Sequence, residues 1–274
     1  MWYQKLEKVW RIKDVRNRVL FVVAMLVVFR FVAHIPIPGV DASSLRNLFA
    51  GNQFLGLLNI FSGGTIQNFS IIALGVAPYI TASIIFQLLA MVVPQLEEIS
   101  KDGEHGQRKI NQWTRIATVP LAFLQSYGII QLLSTSGGAS IFAGFATPKI
   151  LLIMLTMTAG TVLLMWIGEL ITEKKVGNGI SLLILAGIVS SFPQTIRSVV
   201  ASYDPSQIVN IVIIVAVALV TVIGVVVMTE GQRNIPISYA RRSGGVASGG
   251  VSTHLPLRVN MAGVIPIIFA ISII

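Results

Sequence analysis

Residues 207–228 read QIVNIVIIVAVALVTVIGVVVM, 22 residues without one Asp, Glu, Lys or Arg. As a helix rising about 1.5 Å per residue, this run is about 33 Å long, enough to cross the roughly 30 Å hydrocarbon layer of a bilayer. Working outward, similar runs occupy 19–35, 70–93, 116–134, 150–170 and 179–194, and another begins near 260. The 179–194 run is the shortest. The pattern predicts six spans and part of a seventh. The whole chain agrees. Of its 274 residues 54% are hydrophobic and 11% charged, with a mean hydropathy of +0.80, too little polar surface for a soluble domain. There is no cysteine, which excludes disulfides and thiolate metal sites.

The formal net charge of +9 would suggest nucleic acid in a soluble protein. In a membrane protein, basic residues set orientation. With the N-terminus in the cytoplasm, 16 of the 20 Lys and Arg fall on the inner side. They are Lys5, Lys8, Arg11, Lys13, Arg16 and Arg18; Lys101, Arg108, Lys109 and Arg115 in the 97–115 insert; Lys174 and Lys175; and Arg233, Arg241, Arg242 and Arg258. Arg46, Lys149 and Arg197 fall outside, and Arg30 lies near the outer end of the first span. Orientation accounts for most of the charge. The same basic turns also suit anionic lipid, RNA or an acidic protein. The amphipathic stretch Met1–Arg18 precedes an apolar run that ends in IPIPG (35–39) without a small-x-small cleavage pattern. It reads as a retained first span, not as a signal peptide.

Residues 36–69 do not fit a simple span. Leu45, Leu48, Phe49, Phe54, Leu55, Leu57, Leu58, Ile60 and Phe61 recur at helical spacing, but Gly51, Gly56, Gly63 and Gly64 break the stretch into short pieces. Two arrangements fit: a helix lying on the outer surface, or a re-entrant piece buried in protein. Irregular backbone survives at membrane depth only inside protein or beside a water-filled cavity, so a re-entrant piece implies a cavity and transport. In the next run, GVAPYI (75–80), Pro78 removes a donor and is expected to bend the helix. Val76 and Ile80 share a face, and pattern alone gives them no special role.

Catalytic signatures are missing. His34, His105 and His254 are isolated from one another in sequence, and no Walker A, GxGxxG or GxSxG pattern occurs. Glu169, the one acid near a span interior, sits at the cytoplasmic end of its run, where pairing or capping suits it better than a proton relay. With no charge near the midplane, ion-coupled transport is disfavoured, and an external energy source is expected to drive any movement.

Several blocks together resemble one family. NIFSGG (59–64), ALG (73–75) and PYITASII (78–85) resemble the plug and second span of the SecY family, and DGEHGQRKI (102–110) its next cytoplasmic loop. MWIGELITE (165–173) and GNGISL (177–182) resemble its fourth and fifth spans and their turn. QRNIPISYARR (232–242) resembles its long sixth-to-seventh loop, and STHLPLRVNMAGVIP (252–266) the entry to its seventh span. The blocks stand in family order and cover nearly the whole chain, with the bacterial branch the best fit.

The resemblance implies an all-α, polytopic transmembrane helix bundle: a cytoplasmic N-terminus (1–18), a first five-helix half (19–194) with a re-entrant plug near 43–64, and the start of a second half (195–274). That second part would hold the sixth span, the 229–258 loop and the start of the seventh span. It implies a protein-conducting channel of the bacterial cytoplasmic membrane, not an enzyme, with no cofactor. By the resemblance, an aliphatic pore ring includes Val76, Ile80, Ile184 and Ile268, with Ile180 adjacent. The plug includes Phe54, Leu55, Leu57, Leu58, Ile60 and Phe61. A cytoplasmic docking surface for the ribosome (its rRNA) or the SecA motor includes Lys174, Lys175, Arg233, Arg241, Arg242, Arg258, Arg108 and Lys109. SecE and SecG are the implied companion subunits, signal peptides and nascent chains the cargo, and membrane lipid the side exit. Two departures stand out. The loop tip SGGVASGG (243–250) is uncharged where the family is basic. The run from Asn260 has only about 15 residues, too few to cross, so the rest of a ten-span fold is expected from a longer or a second chain. A non-conducting scaffold therefore stays open as an alternative, and an ion-coupled transporter as the disfavoured one.

Overall fold

The chain begins its described course with a helix that is polar at its start and apolar after Arg18, α1 (Lys13–Val32). The computed structural model describes residues 12–38, 40, 45, 49, 64–135, 145–201, 208–237 and 253–258. Six further helices follow among these residues: α2 (Ala77–Val92), α3 (Pro94–Lys101), α4 (Gly103–Leu133), α5 (Thr147–Glu173), α6 (Gly179–Ala201) and α7 (Ile208–Glu230). Two strands close the order, β1 (Gln232–Ile237) and β2 (Thr253–Arg258). The chain divides into two compact units, 1–198 and 199–274.

By length and composition α4, α5 and α7 can each cross a membrane. The pair α2 and α3 makes a fourth span if its 105° bend is counted within one. The apolar part of α6, Gly179–Ser190, is short, as its sequence run is. In α1 the apolar stretch is hemmed by Arg18 and Arg30, and α1 is not among the described helices long and apolar enough to cross.

Two expectations need correction. The second run was to start its helix at 70 and bend at Pro78, yet residues 64–76 are a series of turns and the helix starts at Ala77. Positive φ at Gly64 (83°), Phe69 (44°) and Gly75 (59°) turns the chain repeatedly and keeps it from winding into a helix. Pro78 falls in the first helical turn, where its missing N–H would have had no partner, so it opens α2 instead of bending it. The 97–115 insert is likewise not a loop: α3 and the first turns of α4 run through it, and the bend between α2 and α3 falls at Val93-Pro94.

In the first unit, two apolar clusters meet on the 64–76 segment. One joins Ile66, Phe69, Ala73 and Leu74 to Ala122, Ile130 and Leu133 of α4 and Ile153, Met154 and Met157 of α5. Leu45 and Phe49 are buried in it too. The other joins Ile72 and Val76 to Val22 and Phe29 of α1, Leu164, Ile167 and Ile171 of α5 and Leu183 of α6. Lipid is as apolar as leucine, so helices in a membrane associate through close fit. Small residues supply it. A side chain at Gly160 would collide with the Ile71 carbonyl, and one at Gly179 with the Gly168 carbonyl. Buried hydroxyls of α4 and α5 are satisfied within their own helices: Thr114 donates to Ile110 O (2.9 Å), Thr118 to Thr114 O (2.7 Å) and Thr158 to Met154 O (2.8 Å). In the second unit α7 is apolar all round, as a membrane-spanning helix is.

Candidate functional site

The turning segment 64–76 is held to the end of α1 by main chain. Ile37 N–H donates to Phe69 O (2.9 Å) and Ile71 N–H to Ile35 O (3.1 Å), and Pro36 and Ser70 form an isolated antiparallel bridge. So anchored, the segment ends at Val76, whose carbonyl accepts the Ile80 N–H (3.1 Å) to start α2.

Here the first unit forms a partly open cavity of about 490 Å³. Its wall is drawn from α1 (Phe29), the turning segment (Ile72, Val76), α2 (Ile80), α4 (Ile129), α5 (Leu164) and α6 (Leu183, Ile184). Val76 is buried, and Ile80 and Ile184 are half-buried against the same cluster. Three of the four residues singled out as a ring, Val76, Ile80 and Ile184, therefore line one cavity although 104 positions separate Ile80 from Ile184. Ile180 packs on the same cluster without lining the cavity. The fourth, Ile268, lies outside the described residues, as do the plug residues Phe54, Leu55, Leu57, Leu58, Ile60 and Phe61. Polar groups are few in the wall. Gln125 is one, and its Nε2 donates to Thr81 Oγ1 (3.5 Å). Among the described residues no cluster of three or more His, Asp or Glu could hold a metal ion.

The basic turn between α5 and α6 is built with some care. Asn178 Oδ1 accepts the N–H groups of Ile180 (3.0 Å) and Ser181 (3.2 Å), capping α6. Thr172 Oγ1 accepts the Gly179 N–H (2.9 Å), and the absent side chain of Gly179 lets α6 start against the Gly168 carbonyl. Lys175 takes a left-handed conformation (φ 56°). Of the expected docking residues, Lys174 is drawn to α1: its Nζ lies 4.7 Å from the centre of the Phe21 ring, and Arg18 donates to its carbonyl (3.5 Å). Lys175, Lys109 and Arg233 are exposed, and Arg108 is exposed and paired with Glu104 (2.7 Å). Arg258 ends β2, opposite Gln232. Arg241 and Arg242 lie outside the described residues.

Glu169 is paired, as its position suggested, and its partner is Arg115 across the α4–α5 contact. Arg115 was counted only as a cytoplasmic charge. Nothing in the sequence links two residues 54 positions apart, so this tie between neighbouring spans could not be read there.

A bundle of apolar helices folded around an apolar cavity defines a polytopic α-helical membrane protein. Comparison with known proteins is specific. The SecY family model matches residues 70–274. The protein translocase subunit SecY of Bacillus licheniformis is 44% identical over 281 residues, covering 99% of this chain and 65% of the relative. That of Corynebacterium glutamicum is 47% identical over 272 residues, covering 95% and 61%. The chain belongs to the SecY family, and it spans less than two thirds of the length of these relatives. Among solved structures it resembles one described as a protein-conducting channel, with a TM-score of 0.55 at 18% identity, covering 92% of this chain and 55% of that one. It also resembles a SecY protein whose plug domain is described as stabilising the closed state of the translocation channel, with a TM-score of 0.55 at 20% identity, covering 93% and 55%. At that identity the likeness is one of fold.

Proposed function

We propose that this chain is the first part of the pore-forming subunit of a protein translocase, passing unfolded polypeptides across a bacterial plasma membrane and releasing apolar segments sideways into lipid. One observation carries the reading: Val76, Ile80 and Ile184 converge on one apolar cavity at the start of α2. An aliphatic constriction blocks ions by excluding water, and its flexible side chains close around a passing chain without reading its sequence. Ile268 would complete the ring, and the 54–61 segment would stopper it. The chain performs no catalysis of its own. The drive comes from SecA or the ribosome docked on Lys175, Arg108, Lys109, Arg233, Arg241, Arg242 and Arg258, with Lys174 shaping its turn as well as charging it. SecE and SecG brace the assembly.

Placed in the complete channel with SecE and SecA, the chain is expected to give ATP-dependent entry of a preprotein into vesicles. Entry no greater than with SecE alone rejects the reading. The N-terminus lies in the cytoplasm, because 16 of 20 basic residues then face inward. This stretch of chain has no cysteine, and against the same protein without the substitution Lys109→Cys is expected to resist a membrane-impermeant thiol reagent in intact cells and to react in inverted vesicles. Labelling from outside would reverse the orientation and remove the docking surface with it.

A further inference from the structure

β1 and β2 carry the same short pattern, and the register pairs the two copies. Asn234-Ile235-Pro236 runs antiparallel to His254-Leu255-Pro256, with Asn234 opposite Pro256, Ile235 opposite Leu255 and Pro236 opposite His254. Residues that precede proline are confined to extended conformations. The two central residues, Ile235 and Leu255, are thus both preset for a strand, and they face each other.

The prolines also fix which way the main chain points. Antiparallel pairs alternate between those that exchange hydrogen bonds and those that do not. Proline has no N–H to exchange. The two proline-containing pairs are two positions apart, hence of one kind, and pairing is continuous from Gln232–Arg258 to Ile237–Thr253. They are therefore the non-bonded kind, and the main-chain positions of Gln232, Asn234, Pro236, His254, Pro256 and Arg258 point away from the partner strand. Among the described residues these two strands are the whole sheet, so both long sides are edges there. Each edge has three outward positions, and one of the three is proline, which has no N–H to offer an incoming strand.

We propose that Pro236 and Pro256 close both edges of this ribbon to strand addition, so that an extended, unfolded polypeptide that reaches it does not pair with it. The geometry is independent of function; the use rests on the reading of the chain as part of a protein-conducting channel, where unfolded polypeptide is the cargo. An open edge would capture such cargo on contact.

The test compares the complete channel in lipid nanodiscs with its Pro236→Thr/Pro256→Thr variant. The probe is a fluorescent eight-residue peptide of alternating Thr and Val. The variant is expected to bind it about tenfold more tightly or better, the effect of restoring one edge donor and removing one ring. It should also gain hydrogen-exchange protection at Asn234 and His254 when peptide is added, while the wild type gains none. A variant that keeps protection at Ile235 and Leu255, and so keeps its ribbon, yet binds no more tightly overturns the proposal. If the double variant loses that protection, the wild type decides: peptide-induced protection at Asn234 or His254 overturns the proposal, and free exchange there supports it. Preprotein entry into vesicles is scored separately, so failure of the ribbon inference and failure of the channel reading are distinguishable.

Discussion

Ile80→Gly or Ile184→Gly in the complete channel is expected to raise the resting ion conductance by about tenfold or more, because an apolar gate fails once it is wide enough to stay wet. Both residues line the cavity beside Val76 and pack on the cluster that includes Ile72, Leu164 and Leu183. Glycine removes four carbons from the wall. A control separates this from general damage to α2. Ile85 is on the same helix but is exposed and absent from the cavity wall, so Ile85→Gly has the same helix-propensity cost, about 1 kcal/mol, without opening the wall. Single-channel recording in planar bilayers reads the difference. Unchanged conductance in both the Ile80 and Ile184 variants would remove these residues from the ring.

Gly160→Val is expected to be severely damaging to the first unit. A side chain there meets the carbonyl carbon and oxygen of Ile71, which are main chain and cannot rotate away. The segment carrying Ile71 is itself pinned, since the Ile71 N–H is bonded to Ile35 O and Ile72 is fully buried. Relief requires α5 to back out of both apolar clusters. Overpacking costs about 1–3 kcal/mol where flexible side chains can yield, and the upper end applies where the obstacle is backbone. Thermal unfolding in detergent should show it as a clear drop in midpoint. Gly128 in α4 meets nothing within 4 Å, so Gly128→Ala should leave the midpoint unchanged or slightly raised. Equal losses at both positions would mean that close approach is not what glycine supplies at 160.

What the sequence discloses and what it hides divide along a physical line. Hydropathy registers continuous apolar helix, so α5 and α7 fall where 150–170 and 207–228 predicted them. It cannot register buried chain that is not helical. Residues 70–76 are as apolar as any span, yet the left-handed turns at Phe69 and Gly75 keep them out of a helix. Polar helix is hidden for the opposite reason: α3 and the start of α4 look like a loop because helices outside lipid need no apolar run. The β-ribbon was missed although two X-Pro pairs marked extended chain. Within the cavity, Val76 and Ile80 share a helical face by spacing alone, but Ile184 joins them only through folding. Its place among them came from resemblance to a family, and no local pattern could have supplied it.

The corner at Pro94 makes α3 a crank. Eight residues give an arm about 12 Å long, set at 105° to the shaft, and that shaft is α2. A load applied near Lys101 acts across the shaft, and so tends to swing it more than to drive it lengthwise. The far end of the shaft carries Ile80, so sideways work done on a small polar arm is delivered to the cavity wall.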